Sequence, residues 1–259
     1  MRLRLQIASD LHIKHPGSRG FPPLARGVDI VLLAGDTCEG LEQAIREMRA
    51  AYPHTEIVTV AGNHEFYGGA YFSILEEGRQ CARELGVHFL EDGVATFGSL
   101  RVIGATGWTD YNLFGPALKP AAMRAAYDTM RDHKRIRWQL NPWQRFRPVE
   151  ASLLHARSRA FIEAELARTP AGSTTIVITH HAATVEAVAP AFRDKLITAA
   201  YASDLLPVID RYQPDHWVWG HTHFPTDVTR GRTRLISNPA GYGHEVSDFD
   251  PSFVIEVDA

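Results

Sequence analysis

In Ile57-Val58-Thr59-Val60-Ala61-Gly62-Asn63-His64-Glu65 a largely apolar run stops abruptly at an amide, an imidazole and a carboxylate. The run Ile57 to Ala61 reads as a buried strand. A strand that stops there presents those three groups together at one sheet edge. In open α/β sheets, ligand and catalytic groups collect at the carboxyl ends of strands. Standing alone, Gly-Asn-His-Glu would read as a turn, because Gly and Asn are common turn residues. Its meaning depends on whether other strands end in the same way.

Four others do. Leu3 to Ala8 alternates and then turns apolar, ending at Asp10 and His12, which extended backbone would project to the same side. Asp29 to Ala34 ends in Gly35-Asp36, Thr175 to Ile178 ends in Thr179-His180-His181, and Trp217-Val218-Trp219 ends in Gly220-His221-Thr222-His223. Histidine is not a preferred turn residue, so turn chemistry does not account for five such endings. Parallel strands would bring the five polar ends to one patch.

Helical spacing is clear over 41–51 (Leu41, Ala44, Ile45, Met48) and over 70–85, where Gly86 closes the helix. Pieces of 120–133 look helical, 148–168 is amphipathic with Leu153, Leu154, Phe161 and Leu166 inward, and 203–212 is a helix with Ser203 as N-cap. Short strands are expected at 87–90, 94–97 and 100–105, a hairpin over 226–236 turning near Arg230-Gly231, and a final strand at 252–257. The alternation of strands and helices indicates a mixed α/β core with parallel strands. No repeat or linker divides residues 1–259, so one domain is expected. The segment 107–148 differs from the rest. It is aromatic and basic and lies between core strands, where insertions often form a lid over a site.

Composition narrows the class. Hydrophobic residues make up 45% and charged residues 22% of the 259, an ordinary soluble balance. A net charge of −3 gives no global pull toward nucleic acid or anionic membrane. Only two cysteines, Cys38 and Cys81, are present, which fits a reducing compartment. The first eight residues are too short and too charged for a signal peptide, and no apolar run reaches the ~20 residues of a spanning helix. A cytoplasmic protein without membrane contact is expected, and no feature points to a particular oligomeric state.

Asp10, His12, Asp36, Asn63, His180, His221 and His223 make seven donors, with His64 left over. Seven are too many for one transition metal, but they fit two ions sharing a carboxylate. Mixed imidazole and carboxylate donors suit Mn, Fe, Co, Ni or Zn better than Ca or Mg. Two such ions ~4 Å apart would acidify a bridging water and neutralise a phosphoryl oxygen. The expected chemistry is phosphate ester hydrolysis.

As a set, Asp10-x-His12, Gly35-Asp36, Gly62-Asn63-His64-Glu65, His180 and Gly220-His221-x-His223 resemble the complete signature of the calcineurin-like metallophosphoesterases. The resemblance spans nearly the whole chain. It implies an α/β fold of four layers, an αββα sandwich of two mixed β-sheets flanked by helices. It implies a dinuclear centre, with Mn, Fe or Zn preferred and a metal-bridging hydroxide as nucleophile. By the resemblance, Asp10, His12 and His223 would hold one ion, Asn63, His180 and His221 the other, and Asp36 would bridge them. His64 matches the family histidine that stabilises phosphoryl charge or protonates the leaving oxygen. In some members that histidine pairs with an acid three residues beyond the bridging aspartate. That position is Glu39 here, so a Glu39–His64 pair is an expectation.

Arginine is absent beside Asp36 and Gly62, unlike in the protein Ser/Thr phosphatases of the superfamily. The substrate expected is therefore a small-molecule phosphomonoester or phosphodiester, or a nucleotide. Asn238-Pro239-Ala240-Gly241-Tyr242 resembles a site-closing loop of bacterial members. A nuclease of the same superfamily and a non-catalytic metal-binding scaffold are the alternatives. The first is disfavoured by charge, the second by the completeness of the motifs. Trp108, Tyr111, Arg135 and Arg137 are the candidate substrate contacts. His181 should face away from the ligands as packing or support, His216 should cap a strand start, and His133, His155 and His244 read as surface residues.

Overall fold

The computed structural model describes residues 1–243, 245–246 and 248–259, so His244 lies outside the described residues. In chain order the elements are β1 (Arg2–Ala8), β2 (Ile30–Leu33), α1 (Leu41–Ala51), β3 (Glu56–Thr59), α2 (Tyr71–Leu85), β4 (His88–Phe89), β5 (Gly93–Phe97) and β6 (Leu100–Ala105). Then come α3 (Lys119–Thr129), α4 (Asp132–Arg135), β7 (Arg137–Gln139), β8 (Gln144–Arg145) and α5 (Pro148–Ala167). The last part is β9 (Thr174–Thr179), α6 (Leu206–Tyr212), β10 (His216–Val218), β11 (Thr226–Arg230), β12 (Thr233–Ser237) and β13 (Val254–Asp258).

One sheet has the order β13-β1-β2-β3-β4 and the other β11-β12-β10-β9-β6-β5. Within the first, β1 through β4 pair in parallel and β13 is antiparallel to β1. Within the second, β6, β9, β10 and β12 are parallel, and β5 and β11 are antiparallel edges. Side-chain alternation decides what each face buries. In β2, Ile30 and Leu32 point into the layer between the sheets, where they meet Val102, Ile176, Ile178, Val218 and Ile236 of the second sheet. Val31 and Leu33 point the other way, onto Leu41, Ile45 and Met48 of α1 and Leu75 of α2. In the second sheet, Val177 and Trp217 face Ile162 and Leu166 of α5 and Val208 and Ile209 of α6. Helices therefore cover both outer faces, giving an αββα arrangement of two mixed sheets.

Four local readings need correction. The helix expected from Ser203 begins at Leu206; Ser203 is buried and its Oγ accepts the Asp110 amide at 3.1 Å instead of capping. Helical character over 120–133 breaks between Thr129 and Asp132 into α3 and α4. Leu153 of α5 is exposed, while Leu154, Ile162 and Leu166 face inward. His133 and His155 are buried, not surface, residues; His155 Nδ1 sits 2.9 and 3.0 Å from the Gly107 and Trp108 carbonyls. Isolated histidines carry no signal for such contacts because the partners are remote in sequence.

The 107–148 segment is anchored in the core. Phe146 is fully buried, 4.6 Å from the Trp108 ring and stacked on Tyr71 and His133. Phe146→Ala should cost about 3–5 kcal/mol in urea unfolding, as for other large aromatic truncations. A loss below ~1 kcal/mol would show that the segment is not part of the cooperative core.

Candidate metal centre

All five strand ends meet on one rim of the sandwich. Backbone bonds across them fix the positions: Asp10 N–H donates to Gly35 O at 3.0 Å, His12 N–H to Asp36 O at 3.0 Å, and Gly220 N–H to His180 O at 3.0 Å. Asp10, His12, Asp36, His221 and His223 all have left-handed backbones, with φ between 42 and 66°. Non-glycine residues rarely adopt this region, and such strain collects at functional sites. Glycine supplies the close approaches. A Cβ on Gly62 would lie 2.0 Å from Asp36 Oδ1, and one on Gly220 2.7 Å from Asp10 Oδ2.

The side chains converge in two donor clusters around Asp36. His12 Nε2 and His223 Nε2 lie 3.2 Å apart, and His223 Nε2 is 3.5 Å from Asp10 Oδ1. On the other side His180 Nε2 is 3.2 Å from both Asn63 Oδ1 and His221 Nδ1, and 3.5 Å from Asp36 Oδ1. The second oxygen of Asp36 is 3.8 Å from His12 Nε2. His180 Nδ1 donates to the Ala34 carbonyl at 2.8 Å, so Nε2 is the nitrogen that faces Asn63, His221 and Asp36. Acceptors crowded at this range are held together by positive charge, whether a proton or a metal ion.

The electrostatics say the same. Burial opposes a charge on His180, yet Asp36 raises it to about 10. Burial likewise opposes His223, and Asp10 raises it to about 9. His12, where burial dominates, falls to about 4. Burial works against ionised Asp36 as well, but the His180 and His64 imidazoles hold it well below the usual carboxylate range. The cluster is built to surround positive charge. Its donor set fits transition metal ions, with the sets Asp10/His12/His223 and Asp36/His180/His221 each within reach of one centre.

A family model for calcineurin-like phosphoesterases matches residues 3–225. The chain belongs to that family. Its fold is similar to phosphopantetheinyl hydrolase from Mycobacterium tuberculosis (TM-score 0.76, 17% identity, 99% of this chain and 96% of that one). It is also similar to a protein assigned as a 5′-nucleotidase from Staphylococcus aureus (TM-score 0.53, 14% identity, 93% of this chain and 49% of that one). An uncharacterized protein of Acanthamoeba polyphaga mimivirus is 21% identical over 98% of this chain and 96% of its own length. No described helix of this phosphoesterase is long and apolar enough to cross a membrane. Cys38 and Cys81 are buried and unpaired.

The donors open onto a cleft of about 670 Å³ walled by Tyr67, Thr129, Met130, Arg131, Tyr201 and Tyr242. His64 lines it, with Nε2 3.2 Å from Tyr242 Oη and 3.9 Å from Asp36 Oδ2. Glu39 does not hydrogen-bond to His64. Its carboxylate takes both arms of the Arg135 guanidinium, one at 2.8 Å, and that guanidinium lies over the Tyr67 ring. Arg135 is thus engaged in structure, and Arg137 donates to Gly68 O at 3.2 Å outside the cleft wall. Trp108 and Tyr111 are also not cleft residues. Both are buried, Trp108 against Phe66, Phe146 and His181. Hydrophobic burial outweighs exposure for such large rings, which sequence composition does not reveal. His181 is buried behind the centre, its ring 4.3 Å from that of His221, and burial lowers it to about 3.

The sequence reading missed Asp132, Tyr67 and Arg131, and it named Tyr242 only as the end of the site-closing 238–242 stretch. Arg131 lines the cleft and makes no ion pair among the described residues. Tyr242 ends the 238–242 loop, stacks on His12 at 4.4 Å, and is fixed in part by the Gly241 N–H to Asp10 O bond. Asp132, buried in the 107–148 segment, accepts from Asn63 Nδ2 at 2.7 Å and Tyr67 Oη at 2.7 Å. It fixes the Asn63 amide so that Oδ1 faces His180. Asp132→Ala should weaken Mn²⁺ binding by roughly 10- to 100-fold in a metal titration, the usual effect of losing a group that orients a ligand. Asp132→Asn, which keeps an acceptor oxygen, should lose less.

Proposed function

We propose that this phosphoesterase hydrolyses a small-molecule phosphomonoester or phosphodiester, or a nucleotide, at two transition metal ions. Asp10, His12 and His223 hold one, Asn63, His180 and His221 the other, and Asp36 serves both. The observation that carries the reading is the crowding of Asn63 Oδ1, His221 Nδ1 and Asp36 Oδ1 at 3.2–3.5 Å around His180 Nε2. Bound there, Mn, Fe or Zn supplies Lewis acidity toward a phosphoryl oxygen and an activated water.

The remaining work falls to side chains at the mouth. His64 stands on the solvent side of Asp36, where its Nε2 hands a proton to the departing oxygen or stabilises phosphoryl charge. The Tyr242 hydroxyl orients that ring in the place where Glu39 was expected. Arg131, brought in by the 107–148 segment, meets a second anionic oxygen from across the cleft, and in that sense the segment roofs the site. Buried free cysteines and the absence of a long apolar helix among the described residues support a cytoplasmic setting. A scaffold without chemistry would not need His64 at the cleft.

Metal content per chain should be close to two after Mn²⁺ reconstitution, with turnover of p-nitrophenyl phosphate or its bis ester. No metal uptake and no turnover would favour the scaffold. Phosphopantetheinyl esters and 5′-nucleotides belong in the first substrate panel, given the solved structures of similar fold. His64→Ala should keep both ions and lose on the order of 100-fold in kcat on an ester with a poor leaving group. Full activity in that variant would remove the acid role.

A further inference from the structure

A second cavity of about 630 Å³ adjoins the metal cleft and shares Tyr201, Thr222, His223 and Glu245 with it, the Glu245 carboxylate being held 3.1 Å from His223 Nδ1. The rest of its wall is mainly apolar, with Val188, Phe192, Ile197, Phe224, Pro225 and Val246. Phe192 keeps half its surface exposed at this wall, a cost that an occupant would relieve. The Lys195 ammonium lies 4.3 Å above the Phe192 ring and forms no ion pair among the described residues. At the shared wall, Thr222 Oγ1 is buried without a hydrogen-bond partner. It stands between two of the residues assigned to the metal centre.

We propose that this chamber seats the aliphatic arm of the esterified group, so that the preferred substrates are phosphate esters of extended, mainly apolar alcohols. The inference rests on the reading of the cleft as a phosphate site. With a phosphoryl group at the Asp36 cluster, a substituent enters the chamber by passing between Tyr201, Thr222, His223 and Glu245. The wall suits an aliphatic chain better than a nucleobase. Thr198, one of its few hydroxyls, already donates to Phe192 O at 2.5 Å, and a buried base edge without paired donors and acceptors is costly. Thr222 Oγ1 is free to bond an oxygen near the start of the arm, and Lys195 can meet a polar group at its far end.

The test is calorimetric and independent of turnover. Methyl-, butyl- and octylphosphonate are titrated into the Mn²⁺-reconstituted protein. A fully buried methylene is worth roughly fourfold in affinity, so an arm shielded over half its surface should make octylphosphonate about 100-fold tighter than methylphosphonate. In Phe192→Asp the same ratio should fall below about 10-fold. Because the readout is a ratio within one protein, a general loss of affinity does not imitate it. If methylphosphonate binds and octylphosphonate binds no tighter, the chamber assignment is wrong and the phosphate site stands. An undiminished ratio in Phe192→Asp would also overturn it. If no phosphonate binds, methylphosphonate included, the phosphate-site reading fails and the chamber fails with it.

Discussion

The buried carboxylate of Glu65 ties together the two loops on which the metal centre stands. It accepts the Gly62 amide at 2.7 Å, the Asp36 amide at 3.0 Å and the Thr37 amide at 2.7 Å. These groups belong to the ends of β2 and β3, past the point where ladder bonds hold the strands. Bonds of this charge-assisted kind are worth about 1.5–3 kcal/mol each. Burial pushes the Glu65 carboxyl up to about 7, and neighbouring Asp36 adds to the rise. The carboxylate is tolerated there because four backbone donors surround it, the Cys38 amide being the fourth at 3.4 Å. That tie joins the backbone at Asp36 to the backbone at Gly62, beside Asn63, while the Asn63 amide itself is held by Asp132.

Strain is the other side of this arrangement. Five of the residues assigned as ligands have left-handed backbones, at a cost of order 1 kcal/mol each or more. The cost is offset by the dense apolar layer between the sheets, which leaves the strand ends no freedom to relax. Gly62 and Gly220 let the strand ends pass within contact distance of the Asp36 and Asp10 carboxylates. Rigid sheets, bare glycines and strained ligands form one device, which sets donor atoms before any ion arrives.

Much of this is legible in the chain because it is local. Apolar runs announce strands, the spacing of Leu41, Ala44, Ile45 and Met48 announces α1, and the polar residues that end each strand announce the rim. What is not legible is what depends on distant partners. Asp132 sits 69 residues from Asn63, in a segment whose basic and aromatic character pointed to surface work. Its arginines and aromatics are ordinary in type, and only the fold decides that Trp108 packs inside while Arg131 reaches the cleft. Glu39 is expected to partner His64 only through the family resemblance. In three dimensions a planar guanidinium offers it two hydrogen bonds, which a single imidazole does not match.

Each donor cluster draws on both sheets. Asp10 and His12 follow β1 in the first, and His223 follows β10 in the second. Asp36 likewise belongs to the first sheet, and His180 and His221 to the second. Neither of these two sets is complete within one sheet, so each takes shape only as the two halves of the sandwich close on each other. His12, Asp36 and His64, by contrast, all follow strands of the first sheet and stand close enough together to form a three-donor group on that half alone.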